Sequence, residues 1–433
     1  MGITRRSLLL GGAAAVGLPG ALAGCSIADD GSGSGGSGGS GSALTMRIWD
    51  QTLQPAVQKS IDGFKAANSG VDVRVELVPW ASYFDRLPAD VAGGTLPDVL
   101  WTNSSNFGTY VDAGTFVDVG AELGEATSGW QSSVVEQYTR SGTLWGVPQL
   151  SDAIGLFYNR DLTTAAGVDP ATLAWGGTMD TFLPAAQALT VTGGARTQYG
   201  FNAAYDLQAI YYNFVGSNGG QWQGEGDRYV FADDERSVEA IQYVVDLINR
   251  YRVAPSAADT NTNTDFSRDQ FTQGNMALFQ SGTYNLKNVA DGAQFDWALA
   301  PGLTGPAGRV LVTNGIVAVG NAKSSRLDET KELLRWLGTE EGANPIGAEG
   351  AAFPAVTAAQ QGFLDYWKGQ GVDVQPFLDA AAAEKTMGAP RGPKAQIGST
   401  AAEPALQEVF AGRLPVAEGL KQAQDAANAA IEA

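Results

Sequence analysis

Residues 71–77 read Val-Asp-Val-Arg-Val-Glu-Leu. Val71, Val73, Val75 and Leu77 alternate with Asp72, Arg74 and Glu76, and this period of two predicts a strand with one buried face. Upstream, Met46 to Trp49 is a short apolar strand and Val57 to Phe64 a helix. Downstream, a helix around Tyr83 to Val91 leads to Pro97-Asp98-Val99-Leu100-Trp101, another buried strand. This β-α-β-α-β rhythm predicts an α/β body with a largely parallel sheet. The pattern continues at Ile154–Tyr158, Met276–Phe279, Phe295–Leu299 and Val310–Val319, while the last third is helical, as at Leu327–Leu337 and Ala401–Ala411.

The first 42 residues read as an address. Arg5 and Arg6 precede an apolar run, Leu8 to Leu22, that is too short and Gly-rich for a good spanning helix. Leu22-Ala23-Gly24-Cys25 fits a lipoprotein cleavage site, with small residues for the peptidase and a thiol to carry the lipid. Residues 1–24 are therefore expected to be a signal peptide. Its Thr4-Arg5-Arg6-Ser7-Leu8-Leu9 string resembles a twin-arginine signal. Residues 25–42 are expected to be a lipidated Cys25 and a tether, since Gly31 to Ser42 is only Gly and Ser and reaches roughly 20 Å.

Composition excludes much chemistry. The 433 residues contain no His and one Cys. Histidine triads, imidazole metal sites, intrachain disulfides and zinc clusters are therefore out, and no metal or cofactor is expected. With 27 basic against 46 acidic residues the net charge is −19, which disfavours nucleic acid as a partner. No GxxxxGK[ST] loop and no GxSxG elbow occur. Asp259 to Asn263 imitates a calcium loop, but Thr264 and Gln270 stand where Gly and Glu are needed. Among 46 carboxylates a glycosidase pair is not excluded, and nothing local picks one out.

Leu96-Pro97-Asp98-Val99, Leu144-Trp145-Gly146-Val147-Pro148 followed by Leu156 to Leu162, and Phe271 to Ala277 with Ser281-Gly282-Thr283-Tyr284 together resemble the bacterial extracellular solute-binding proteins of the maltose-binding type, the sugar receptors of ABC importers. Ala318 to Ser324, the helix-forming Lys331 to Leu337, Glu340-Glu341-Gly342 and Phe353-Pro354-Ala355 match the closing third. The resemblance spans roughly residues 43–431. It implies a two-lobed periplasmic-binding-protein (Venus-flytrap) fold, each lobe a mostly parallel sheet flanked by helices. Lobe 1 is expected over 43–150 and 309–350, and lobe 2 over 151–308 and 351–433. The chain would cross between lobes near Leu150–Asp152, Pro301–Gly308 and Ala343–Val356.

Sugars take aromatic faces against their C–H faces and polar groups against their hydroxyls. Trp49 and Asp50 end the first strand, where open α/β sheets bind ligands, though Trp49 could equally cap the core. Trp80 follows the second strand beside Tyr83, which reads as packing. Asn103 follows the third strand, where the family places a site loop. Asp152 occupies the position of a sugar-binding carboxylate in the resembled receptors, with a hinge carboxylate as the alternative. Trp175 lies in a Gly-rich loop, Tyr205-Asp206 matches a second-lobe site loop, and Trp222 is a site or a surface-loop residue. Tyr284 stands where an aromatic stacks on sugar, Asn314 interrupts an apolar strand, and Arg391 faces either a ligand hydroxyl or a surface carboxylate.

The function implied is a non-enzymatic, monomeric receptor, lipid-anchored on the outer face of the cell membrane. It would pass a sugar or oligosaccharide to an ABC importer permease driven by a separate ATPase. Two alternatives stay open: a surface-anchored carbohydrate-active enzyme using paired carboxylates, and a same-fold receptor for a glycerol phosphodiester or polyol.

Overall fold

The computed structural model describes residues 43–194, 196–392 and 394–433. The signal peptide, Cys25 and the tether expected over 1–42 lie outside the described residues. Ten strands run in chain order: β1 (Leu44–Ile48), β2 (Val73–Leu77), β3 (Val99–Asn103), β4 (Thr139–Arg140), β5 (Thr143–Leu144), β6 (Val147–Asn159), β7 (Leu278–Gly282), β8 (Trp297–Pro301), β9 (Leu311–Gly320) and β10 (Thr386–Met387). The helices that matter most for the first lobe are α1 (Gln54–Ala67), α2 (Trp80–Gly93) and α3 (Ser104–Val111).

The stretch that alternates in the sequence forms β2, paired parallel to β1 with Leu44 opposite Val73 and Ile48 opposite Leu77. β3 lies parallel on the other side of β1. Beyond it the sheet changes sense, and here the expectation of mostly parallel sheets fails. β9 runs antiparallel to β3, β6 runs antiparallel to β9, and β7 and β8 run antiparallel to β6. The short β10 returns to parallel pairing on β9. A strand buried on both faces reads as a continuous apolar run in either direction, so the sequence pattern carried no information on sense.

Two hydrophobic cores form. One gathers β1, β3, α1 and the 316–359 region around Ile48, Phe64, Trp101, Val319 and Leu333. The other gathers residues 153–312 and the C-terminal helices around Phe157, Phe201, Phe214, Ile241 and Phe410. β6 serves both, with Val147 and Leu150 in the first core and Ala153 to Phe157 in the second. β9 does the reverse, with Leu311 and Val312 in the second core and Ile316 to Val319 in the first. A third segment joins them: Ser151 N donates to Phe353 O and Ala355 N to Gln149 O, both at 3.0 Å. The second crossing therefore lies between Val312 and Ile316. The Pro301–Gly308 stretch stays within one core, where Gly305 and Gly308 close a tight turn. Its Pro and Gly residues mark the loop between β8 and β9, which run in the same sense along successive parts of β6.

Candidate functional site

At the ends of β1 and β3, polar side chains close the turns into helices. Asp50 Oδ1 accepts from the Thr52 and Leu53 amides at 2.7 and 3.2 Å, just before α1. Asn103 Oδ1 accepts from Asn106 N at 3.1 Å and caps α3. Trp49 is half-buried and meets Trp80, Tyr83 and Trp101 edge-on at 5.4, 5.0 and 5.5 Å. Trp80 is the outermost ring of this tier, 53 % exposed. Tyr83 is core as expected, its hydroxyl donating to the Trp101 carbonyl at 2.9 Å. Beneath it Arg47, 3 % exposed, is held by Glu76 and Asp90 at 3.0 and 2.5 Å.

The crossing strands supply the next group. Asp152 on β6 stands opposite Asn314 on β9. Asn314 Oδ1 accepts from Ser104 Oγ at 2.9 Å, tying the hinge to α3. Asp152 is 5 % exposed and accepts from Thr283 Oγ1 at 2.6 Å. Burial first, against the lowering effect of the Thr283 hydrogen bond, and then the Asp50 charge push its pKa up to about 6. Asp206 caps the π-helical turn Leu207–Tyr211 through Ala209 N at 2.8 Å, and burial raises its pKa also. Tyr284, half-buried beyond β7, has its phenol pKa raised by burial and then by the Asp206 and Asp152 charges. Asp50, Asp152, Asp206 and Tyr284 thus share one electrostatic neighbourhood. No salt bridge to any of these three carboxylates occurs among the described residues.

A cavity of about 230 Å³ opens farther along the second lobe, lined by Tyr205, Tyr211, Trp222, Tyr229 and Glu403, with Ser105 of α3 contributed by the first lobe. Tyr205 and Tyr211 stack at 5.7 Å with their planes 9° apart. Tyr229 is fixed by its hydroxyl donating to Ala395 O at 2.7 Å. Tyr211 and Tyr229 were not singled out in the sequence. The Tyr211-Tyr212 pair five residues after Asp206 was the available signal.

Other expected site residues sit elsewhere. Trp175 is buried in the second core, its ring 4.8 Å from Phe214 and 4.9 Å from Tyr243. Gly176 and Gly177, both at positive φ, turn the chain so that this ring points inward. Trp222 is not a surface-loop residue. It is buried with one face on Phe231 at 4.1 Å, while still lining the cavity. Arg391 is exposed and makes no ion pair among the described residues, and its backbone is clamped by Gln223. Among the described residues no group of three or more His, Cys, Asp or Glu is placed to hold a metal ion, and no helix is long and apolar enough to cross a membrane.

Two cores joined by three crossing segments, with a polar and aromatic cavity walled from both, define a two-lobed ligand-capture protein. The sequence profile of the bacterial extracellular solute-binding proteins matches residues 49–344, and the chain belongs to that family. Mycobacterium tuberculosis UspC, a solved structure, is 44 % identical over 90 % of this chain and all of that one, with a TM-score of 0.73. The substrate-binding protein Lmo0181 of Listeria monocytogenes, solved with cycloalternan, shares the fold at TM-score 0.80 and 19 % identity, over 90 % of this chain and 99 % of that one. The galactooligosaccharide-binding protein of Bacillus subtilis is 24 % identical over 400 residues, 89 % of either chain.

Proposed function

We propose that this protein captures a sugar or oligosaccharide between its lobes and delivers it, chemically unchanged, to the permease of an ABC importer powered by a separate ATPase. It acts as a monomer held by a lipid on Cys25 at the outer face of the cell membrane. The observation that carries the reading is the cavity itself: stacked tyrosines and a tryptophan for C–H faces, with the Glu403 carboxylate in its lining to accept hydroxyl protons. Relatives named for galactooligosaccharide and maltodextrin support the ligand class. A phosphodiester would want basic side chains, and Arg391 is the one cation among the candidates.

One observation favours the enzyme reading: Asp152, with a pKa near 6, has a second carboxylate, Asp50, close enough to perturb it, as in an acid–base pair. Against it, Asp152 lies on a strand that the two lobes share. Calorimetry with maltose, maltotriose, mannobiose and mannotriose, followed by chromatography of the recovered sugar, decides between them. One-to-one binding with intact sugar is expected. Shortened sugar would install the enzyme, and no binding to the panel would remove the sugar reading.

A further inference from the structure

The turn that carries the cavity's tyrosines is wound in an unusual way. Leu207–Tyr211 is π-helical, with the Tyr211 amide donating five residues back to Asp206 O at 2.9 Å. Such windings are rare, occur mostly as single turns, and gather at functional sites. This one brings Tyr205, Leu207 and Tyr211 to one cavity wall and carries Asp206 at its head. Asp206 O also accepts from Ile210 N at 3.1 Å, the partner it would have in an α-helix, so the tighter winding lies close by.

Two buried side chains reach the carbonyls of this turn. Gln280, at the middle of β7 and 0 % exposed, donates through Nε2 to Ala209 O at 2.7 Å. Asn213 donates to Gln208 O at 2.7 Å, and its Oδ1 accepts from Val312 N on β9 at 2.8 Å. Gln280 is itself fixed by Asn202, which accepts from its backbone amide at 2.8 Å and donates to its carbonyl at 2.9 Å, as a further strand would. Gln280 is a costly residue for this place. Its Oε1 is sealed from solvent and has no hydrogen-bond partner among the described residues. A buried amide oxygen left so opposes folding, where an apolar side chain of the same length would not. What the amide supplies is the bond to Ala209, the residue whose own N–H donates to Asp206 Oδ1 at 2.8 Å. Ala209 is thus held at both ends, its amide orienting Asp206 and its carbonyl tied to β7.

We propose that Gln280 is a positioning residue for ligand capture: by tying Ala209 to β7 it keeps the 207–211 turn in its π winding, and so fixes Asp206 and the Tyr205–Tyr211 pair in the orientation that meets the ligand. That these groups meet a sugar rests on the reading above; that Gln280 holds them rests on the fold alone. Released, the turn tightens toward α winding and the Tyr211 ring leaves its alignment with Tyr205.

The test is Gln280→Met, which keeps length and burial and removes the amide. Hydrogen exchange of the ligand-free mature protein, read by mass spectrometry, needs no sugar. Exchange over residues 205–213 should rise at least about tenfold while the Glu235–Asn249 helix stays as it was. The melting temperature should hold within about 2 °C, because one hydrogen bond and one unsatisfied oxygen are lost together. Calorimetry with maltose, maltotriose, mannobiose and mannotriose should show at least about tenfold weaker binding of whichever sugar the parent binds, and Asp206→Asn should cost less in the variant than in the parent, since both act through Ala209. Unchanged exchange over 205–213, unchanged affinity, or additive losses would overturn the proposal and leave the sugar reading standing. Gln280→Leu is read alongside, and a large fall in melting temperature or failure to fold in both variants would also overturn it, by making Gln280 a residue of core stability. A parent that binds no sugar on the panel would overturn the sugar reading, and the exchange result then decides by itself whether Gln280 holds the turn.

Discussion

Asp152→Asn should make the ligand-free protein more stable and the sugar complex weaker. Asp152 is 5 % exposed, accepts one hydrogen bond from Thr283, and has no cationic partner among the described residues. Burial lifts its pKa from the ordinary value near 3.9 to about 6. A raised carboxyl pKa means that ionisation opposes folding. The penalty is full above about pH 7 and disappears as pH falls below about 4, where folded and unfolded chains are both protonated. The rise corresponds to about 3 kcal/mol. Asparagine is isosteric, keeps the oxygen that Thr283 donates to, and carries no charge. With unfolding entropy near 2.1 cal/mol/K per residue over about 390 residues, the gain is about 3–4 °C in Tm at pH 7.5. At pH 4 the two proteins should melt together. Loss of a charge-assisted acceptor should weaken sugar binding tenfold or more at pH 7.5. Scanning calorimetry at both pH values and titration with the bound sugar read these effects. An equal gain at both pH values, or no gain at pH 7.5, would refute the reasoning.

Three more outcomes follow from single contacts. A Cβ on Gly108 of α3 would meet Gly392 O at 2.6 Å across the lobes, so Gly108→Val should weaken sugar binding at least tenfold and enlarge the scattering radius with ligand present, while the ligand-free melt holds. Asp90→Ala strips the buried Arg47 of its 2.5 Å partner while Glu76 still holds it, and should destabilise the first lobe by about 1.5–3 kcal/mol, read by urea unfolding. Tyr284→Ala removes an aromatic face worth about 0.5–1.5 kcal/mol beyond its area, and calorimetry should show at least a several-fold loss of affinity.

The first lobe was legible because β2 is an alternating strand at one edge of the sheet, where one face meets solvent and the period of two survives. β6 and β9 are buried almost throughout, so their apolar runs marked strands without direction, and the sheet's antiparallel half went unread. Tryptophans were the least legible residues. Trp175 and Trp222 both sit beside Gly pairs, yet one packs into the second core and the other lines a cavity. That difference depends on how the rings pack: Phe214 and Tyr243, far along the chain, cover Trp175, and Phe231, nine residues on, covers one face of Trp222. The carboxylates were more legible, because Asp50 and Asp206 sit where a strand or loop yields to a helical turn, and capping chemistry fixes acidic residues there.

For those carboxylates, structural and ligand-binding roles are not rivals. Asp50 and Asp206 each commit Oδ1 to backbone amides at a helical start, and Asp152 commits Oδ1 to Thr283. Each side chain is thereby held in one rotamer before any ligand arrives. Ordering a free side chain on binding would otherwise cost about 0.5–1.5 kcal/mol apiece. A sugar entering the cleft meets acceptors whose orientation the fold has already set, and Oδ2 of Asp152 makes no hydrogen bond among the described residues. The local turn chemistry therefore helps prepare affinity, while the buried charge on Asp152 opposes the stability of the empty protein. On the proposed sugar-binding reading, a hydroxyl donor from the ligand would relieve that opposition on β6, which with β9 belongs to both cores.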